Sequence, residues 1–288
     1  MEYQKTKRYS YEYEEYEEQG KDQKDLLKTI LSDKELPELE ELDIGCWGEM
    51  WEDSCQELLD GFVAHKDALS HIKSLCIGDV DFETCEISWI IQGDYSKIWA
   101  AFPNLEHLLI KGSTDLVLGD IAHNNLKSLE ILCGGLPEDV ITSITQSSLP
   151  NLECLRLYLG SEDYGFDGDA DTIQALLKNS NFPNLHCLAI MDSEIQDDVV
   201  KLVLDSDYIK KVNELDFSLG TLTDEAGILL LERLPQYPNI RSLHVDENYL
   251  SDSLIQKLHT LSIEVTADEQ KEEDDYDGEI WRYASVTE

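Results

Sequence analysis

The chain has 288 residues, 42% of them hydrophobic, and carries 22 basic against 61 acidic residues, a formal net charge of −39. This charge argues against nucleic acid and against an anionic membrane surface as direct ligands, because both are bound through Lys and Arg. No apolar run approaches the ~18–20 residues of a membrane-spanning helix. The first residues lack the apolar stretch of a secretion signal, so we expect a cytoplasmic protein.

Residues 1–35 are expected to form an N-terminal cap, because the terminal repeats of an array need a polar outer face. From Tyr9 to Tyr13 aromatic and polar residues alternate, as the side chains of an edge strand do. Between Leu26 and Leu31 apolar residues recur with helical spacing, which predicts a first helix.

Residues 36–265 repeat one phrase, apolar-x-x-Leu-x-apolar, from end to end. A recurring phrase of this kind is the signature of a solenoid. Each Leu-x-apolar pair alternates with period two, as a strand with one buried face does. The central leucines of the eight copies are Leu42, Leu75, Leu108, Leu129, Leu155, Leu188, Leu215 and Leu243.

The segments between the copies have helical spacing and recognisable helix boundaries. Four copies follow a Pro-Asn step, and proline cannot continue a preceding helix. Thr223 before two acidic residues is typical of a helix N-cap. Asn248 fits the turn asparagine of a leucine-rich repeat, although the other copies lack a continuous asparagine ladder. We therefore predict an α/β leucine-rich-repeat solenoid of about eight repeats, with a parallel sheet on the concave face of an arc and helices on the convex face.

The end of the chain changes character twice. Residues 261–265 alternate like a final strand. Residues 266–279 are mostly acidic and are expected to form a disordered loop. Residues 280–288 turn apolar again, which suggests a C-terminal segment that packs back onto the arc.

Several short strings along the chain carry a resemblance to a known family. They are Ile44-Gly-Cys-Trp47-Gly48-Glu49, Ile77-Gly-Asp79, Phe82-Glu-Thr-Cys-Glu86-Ile-Ser-Trp89-Ile, Leu157-Tyr-Leu-Gly160 with Asp163-Tyr-Gly165, Leu219-Gly-Thr-Leu-Thr223-Asp-Glu and Trp281-Arg-Tyr283. From about residue 8 the chain resembles an uncharacterised bacterial family of cytoplasmic leucine-rich-repeat proteins encoded beside biosynthetic enzymes. The resemblance implies a helix-backed arc, similar to ribonuclease-inhibitor-like folds, and an adaptor-like role without a transferable activity.

Strand residues that flank the buried ones are expected to face the concave side of the arc. In the middle of the arc they are rather apolar, with acidic residues on the flanks, and such a patch is typical of a protein interface. The predicted partner-binding residues are His107, Leu109, Lys111, Glu130, Leu132, Arg156, Tyr158, Ala189, Met191, Asp216 and His244. The predicted anchors among them are Leu109, Arg156, Tyr158 and Met191. The alternative is that the C-terminal segment or a loop covers this patch.

A second candidate site lies in the loops that follow the first strands. Solenoid stacking would bring equivalent loops together. The residues in question are Trp47, Glu49, Asp79, Glu86 and Trp89. They could form a rim site for a cation or a basic peptide, or the tryptophans could only seal a long repeat.

Motifs for metal binding and catalysis are weak. Counting an EF-hand loop from Asp167 places Thr172 and Lys178 where Gly and Glu are needed, so a loop that caps the next helix is the better interpretation. The seven histidines lie in no zinc-protease motif, and the chain has no nucleophile elbow or phosphate-binding glycine loop. The seven cysteines form no Cys-x-x-Cys pair, as expected of reduced thiols in a cytosolic protein. We expect no enzyme, no metal and no cofactor.

These features predict a protein-interaction module, an adaptor or scaffold, that binds a protein partner on its concave face. The acidic flanks favour a partner with a basic surface. Two alternatives stay open: an acidic inhibitor that covers a basic enzyme, and an accessory protein of a biosynthetic enzyme with a small-ligand site on the post-strand loops.

Overall fold

Ten strands form one parallel sheet in the computed structural model, which describes residues 5–286. The strands lie side by side in chain order, so each pairs only with its neighbours in sequence. They are β1 (Thr6–Tyr9), β2 (Glu41–Ile44), β3 (Ser74–Ile77), β4 (His107–Lys111), β5 (Ser128–Leu132), β6 (Cys154–Gly160), β7 (Cys187–Ser193), β8 (Glu214–Asp216), β9 (Ser242–His244) and β10 (Glu264–Thr266).

Helices occupy most of the crossovers, because neighbouring parallel strands require the chain to return to the same end of the sheet. They are α1 (Gln23–Ser32), α2 (Gln56–Ala64), α3 (Lys66–Leu69), α4 (Ile98–Ala101), α5 (Glu138–Thr145), α6 (Ala170–Asn179), α7 (Gln196–Asp205), α8 (Asp224–Arg233) and α9 (Asp252–Leu258). The crossover from β4 to β5 instead contains turns and short bridges. Within residues 5–286, every helix falls short of the length and apolar character that crossing a bilayer requires.

One row of leucines runs through the centre of the sheet. Leu42 pairs in register with Leu75, and the row continues to Leu243 in β9. It contains all eight central leucines of the sequence repeat, and all of them are buried. Each contributes about 1.5–3 kcal/mol through burial against the apolar faces of the helices. The core therefore lies between the sheet and its helices.

Buried or half-buried amide side chains close the turns after several strands. Asn248 accepts a hydrogen bond from the Leu222 N–H at 3.0 Å and donates to the Phe217 carbonyl at 3.0 Å. In other repeats a glutamine takes this place, as Gln196 does on the Ile190 carbonyl at 2.8 Å and Gln270 does on a carbonyl of β9's turn at 2.9 Å. Because Gln196 begins α7 and Gln270 follows the last strand of the sheet, the repeat phrase does not reveal these glutamines.

The four Pro-Asn steps have a second role besides ending the preceding segment. In each, the asparagine side chain donates to a backbone carbonyl of the previous repeat, which ties successive repeats together. The pairs are Asn104 with Ser70 at 2.8 Å, Asn151 with Asn124 at 2.7 Å, Asn184 with Pro150 at 3.0 Å and Asn239 with Val212 at 2.6 Å.

The N-terminal strand lies earlier than the tyrosine alternation predicts. β1 ends at Tyr9, and Tyr13 is exposed on the way into a short π-helical turn, Glu14–Glu18. The Tyr9 hydroxyl donates to Asp33 at 2.8 Å, and the Tyr11 hydroxyl donates to the Asp22 carbonyl at 2.9 Å. Tyr9 and Tyr11 thus anchor the two ends of α1, and the three tyrosines do not line one strand. Residues 1–4 of the predicted cap lie outside the described residues.

The acidic segment after β10 contains a hairpin, whereas its composition predicts a disordered loop over 266–279. Strands β11 (Asp274–Tyr276) and β12 (Glu279–Trp281) pair antiparallel. Asp277 and Gly278 both have positive φ, 56° and 88°, as a type I′ turn requires. The Asp277-Gly278 dipeptide is a turn signal, but the acidic composition of the surrounding residues predicts disorder instead.

The C-terminal segment lies against the ends of β7 and β8. Ala284 is buried, and the Ser285 N–H donates to the Leu219 carbonyl at 2.8 Å and to Asp192 Oδ1 at 2.7 Å. The Val286 N–H donates to the same carboxylate oxygen at 2.8 Å. Residues 287 and 288 of the predicted segment lie outside the described residues.

Candidate functional site

The strand side chains that alternate with the core residues form the second face of the sheet, here called the open face. The register places six predicted partner-binding residues in one row across it. From β1 to β10 this row is Arg8, Asp43, Cys76, Leu109, Glu130, Arg156, Ala189, Asp216, His244 and Thr266. Lys111 pairs beside Leu132, and Tyr158 beside Met191, two residues further along their strands. His107 is exposed at the start of β4.

Arg156 forms ion pairs across an intervening strand. From β6 its guanidinium reaches β8, where it donates to Glu214 at 2.6 Å and to Asp216 at 3.3 Å. To do so it must extend over Ala189 in β7, which is 0% exposed. A small side chain at this position leaves room for the arginine. Arg156 is therefore held by two carboxylates and is only partly available to a partner.

Ala189 and Met191 do not offer the apolar surface that the strand alternation predicts. They are 0% and 2% exposed, respectively, although they lie on the open face. The alternation identifies the face of a residue correctly but not whether neighbouring side chains cover it. Leu109, Leu132 and Tyr158 are half-buried and do reach the surface.

Glu130 and Tyr158 are the unpaired polar groups at the centre of the open face. Glu130 lies in register with Arg156, but that guanidinium is directed to β8. Within residues 5–286 neither the Glu130 carboxylate nor the Tyr158 hydroxyl has a hydrogen-bond partner. Burial raises the pKa of Glu130, and the positive charges of Arg156 and Lys111 only partly offset it. Half-buried groups without a partner gain most from a new one.

The N-terminal third of the open face holds a second charged cluster. Asp79, which follows β3, accepts hydrogen bonds from Arg8 at 2.8 Å and from Lys111. Burial and then the charge of Asp79 raise the pKa of Asp43 to about 6. The buried Asp43 Oδ1 has no hydrogen-bond partner among the described residues. Arg8 and Asp43 are not among the residues predicted from the sequence, although the same alternation applied to their strands would have included them.

The five predicted loop-site residues are not brought together. Trp47 is 1% exposed and donates through Nε1 to the Asp53 carbonyl at 3.0 Å, as a side chain that seals the repeat does. Trp89 is 56% exposed. Asp79 belongs to the open face, and Glu86 is half-buried beside the short turn that carries Trp89.

Trp47 and Glu49 instead line a cleft of 840 Å³ near the N-terminal end. The π-helical turn contributes Tyr16 and Glu17 to it, and α2 contributes Gln56. Burial and the neighbouring carboxylates, Glu52 foremost, raise the pKa of Glu49. The cleft is thus strongly acidic.

The acidic run between β6 and α6 caps helices. Asp169 accepts hydrogen bonds from the N–H groups of Asp171 at 2.8 Å and Thr172 at 3.0 Å, and so begins α6. Asp167 accepts from the Glu138 N–H at 2.7 Å, at the start of α5. The run therefore caps both its own helix and the preceding one. Across residues 5–286 no three His, Cys, Asp or Glu side chains are grouped as metal ligands would be.

The described features define a class: an α/β protein built from one parallel sheet of sequentially ordered strands, backed by helices, with a charged open face. Among solved structures, the chain is similar to a protein of Bacteroides fragilis whose crystal structure was determined by the Northeast Structural Genomics Consortium. The two are 40% identical, with a TM-score of 0.86, and the match covers 98% of this chain and 77% of that one. The chain belongs to the same family as this Bacteroides protein. No protein-family model and no curated protein matches the sequence.

Proposed function

We propose that this chain is a leucine-rich-repeat protein of the cytoplasm that binds a protein partner on the open face, the concave surface of its arc. The central row of leucines, the helix in most crossovers and the buried Asn248 turn support the repeat class. The free state of all seven cysteines agrees with a reducing compartment.

The observation that carries the proposal is the unpaired Glu130 and Tyr158 at the centre of the open face. A carboxylate and, diagonally from it on the next strand, a phenol, with Leu109 and Leu132 close in the register, suit a basic side chain with an aliphatic stem. The excess of acidic residues would attract a partner of that charge. Tyrosine is among the residues that most often dominate interface energies.

The test compares three forms of the full chain as bait in the native cytosol. The double variant Glu130→Gln/Tyr158→Ala removes both groups, and both positions are half-buried, so the fold should tolerate it. The control, Ile228→Ala, changes an exposed apolar residue on α8. We expect the wild type and the control to capture the same protein and the double variant to lose it, since truncating one partner of a buried, hydrogen-bonded charge pair costs about 2–5 kcal/mol of binding free energy. Equal capture by all three folded forms would refute the site.

Salt dependence distinguishes the adaptor from an acidic inhibitor of a basic enzyme. An inhibitor held mainly by charge would release its enzyme steeply as ionic strength rises, whereas an interface with an apolar centre would respond less. The net charge of −39 is what favours this second candidate.

The third candidate, an accessory protein with a small-ligand site, is favoured by the cleft at Trp47 and Glu49. It predicts a small molecule that co-purifies with the native protein and is released on denaturation. Substitution of Glu49 would abolish that co-purification and leave capture by the open face intact.

A further inference from the structure

Two cysteines face each other on neighbouring strands of the open face. Cys154 in β6 is the register partner of Cys187 in β7, and their Sγ atoms are 2.7 Å apart. Neighbouring strands are about 4.8 Å apart, which lies within the ~4.4–6.8 Å that the Cα atoms of a disulfide span. The two sulfurs could therefore be joined without rearrangement of the sheet.

The two thiols differ in access. Cys154 is partly exposed, whereas Cys187 is 2% exposed. Cys187 Sγ lies 3.4 Å from Glu214 Oε1, the same oxygen that accepts from Arg156. An external reagent thus reaches Cys154 first.

The thiols also differ in acidity. Hydrogen bonding between the two thiols lowers the pKa of Cys154, and the charge of Arg156 adds to this effect against the opposing effect of burial. The hydrogen bond to Cys154 and burial raise the pKa of Cys187. The greater exposure of Cys154 and the charge of Arg156 therefore favour Cys154 over Cys187 as the thiol that ionises and reacts first. Exposure together with a lowered pKa is the signature of a reactive cysteine.

The other cysteines have the opposite environment. Cys55 and Cys133 are 0% exposed, and burial raises the pKa of each to about 12. Their thiols donate to oxygens, Gln92 Oε1 and the Tyr158 carbonyl, and not to sulfur. Burial likewise raises the pKa of the Cys46, Cys76 and Cys85 thiols. Any modification should therefore be selective for one pair.

We propose that Cys154 and Cys187 form a dithiol site that reacts with low-molecular-weight disulfides. The Cys154 thiolate attacks one sulfur of the disulfide, forms a mixed disulfide and releases one thiolate, which takes up a proton. Cys187 then loses its proton to solvent and attacks Cys154 Sγ, which expels the second small thiolate. Two protein thiols are oxidised to one disulfide, and one small disulfide is reduced to two thiols. This inference does not depend on the proposed partner binding.

The experiment treats the reduced, folded full chain with glutathione disulfide at neutral pH, then denatures and alkylates it. We expect the mass to fall by two hydrogen atoms before alkylation, and two fewer than the seven cysteines to accept the alkylating reagent. Peptide mapping should find one cross-link, between Cys154 and Cys187. A cross-link elsewhere, or seven free thiols after prolonged treatment, would overturn the proposal without any variant being needed.

Variants assign the two roles. Cys187→Ser should stop the reaction at a stable glutathione adduct on Cys154, because the resolving thiol is missing. Cys154→Ser should show no adduct, because Cys187 is buried. The matched control Cys133→Ser should form the cross-link as fast as the wild type. A glutathione adduct on Cys187 in the folded Cys154→Ser chain would contradict the assigned order of attack.

Discussion

Asp192, at the end of β7, accepts a hydrogen bond from the main-chain N–H of Ser285 at 2.7 Å, across 93 positions of sequence. The same Oδ1 accepts from Val286, while Oδ2 is buried without a partner among the described residues. Lys271 lies close and donates to the Tyr283 carbonyl at 2.6 Å. One buried carboxyl group thus fixes the C-terminal segment to the sheet.

Stability should fall as pH rises through the range in which Asp192 ionises. Burial raises its pKa from 3.8 to about 7, against the two N–H groups and the charge of Lys271, which lower it. Between these values the folded chain keeps the proton that the unfolded chain has lost, so the contribution of this group declines from about pH 4 and is gone above about pH 7. At 1.36 kcal/mol per pKa unit, the decline approaches about 4 kcal/mol.

The measurement is urea unfolding of the wild type and of Asp192→Asn between pH 4 and pH 8. Asparagine keeps the acceptor oxygen, tolerates the left-handed backbone at this position (φ 51°) and does not ionise. The difference in stability between the two forms should therefore shift in favour of the variant as pH rises. A constant difference across this range would mean that Asp192 titrates normally.

Arg156→Met should destabilise the fold by about 1–3 kcal/mol, between the values typical of exposed and of buried ion pairs. Methionine keeps the stem over Ala189 but leaves Glu214 and Asp216 without their counter-charge. A double-mutant cycle with Asp216→Asn, followed by chemical denaturation, isolates the pair. If the losses of stability in the two single variants add up to the loss in the double variant, the Arg156–Asp216 ion pair contributes nothing to stability.

Asn248→Ala should lower the free energy of unfolding by about 2–4 kcal/mol, because it leaves a buried N–H of Leu222 and a carbonyl of Phe217 unpaired. Asn104→Ala is the matched control, since its exposed amide makes one bond, to the Ser70 carbonyl. We expect about 1 kcal/mol there. If urea unfolding shows the same loss of stability in both variants, the buried amide of Asn248 stabilises the fold no more than an exposed one does.

Gly160→Ala should destabilise the chain far more than Gly20→Ala. Both glycines have similar positive φ, 70° and 65°. A Cβ at Gly160 would lie 1.7 Å from the Gly134 carbonyl oxygen, whereas one at Gly20 would meet nothing within 4 Å. The backbone cost of about 1 kcal/mol is common to both, so the difference between their melting temperatures measures the steric clash alone.

Much of the sheet could be predicted from the repeat phrase, because burial of one side chain in two is a property of each strand by itself. The row from Leu42 to Leu243 follows from that local rule. Which residues of the open face are covered does not follow from that rule, since Arg156 of β6 extends over Ala189 of β7. The hairpin at Asp277 was not predicted, for a different reason. Its turn signal is two residues long and lies in a segment whose acidic composition is typical of disorder.

The two ends of the sheet are held unequally. At one end, β1 pairs with β2 alone, and an ion pair from Arg8 to Asp79 ties it to the loop after β3. At the other end, the chain returns from β10 to Asp192 in β7, so freeing the last three strands from β7 also requires that this contact break. Under heat or mechanical force, the strands should therefore separate first at the N-terminal edge of the sheet, at β1. Separation should then proceed strand by strand toward the C-terminal end.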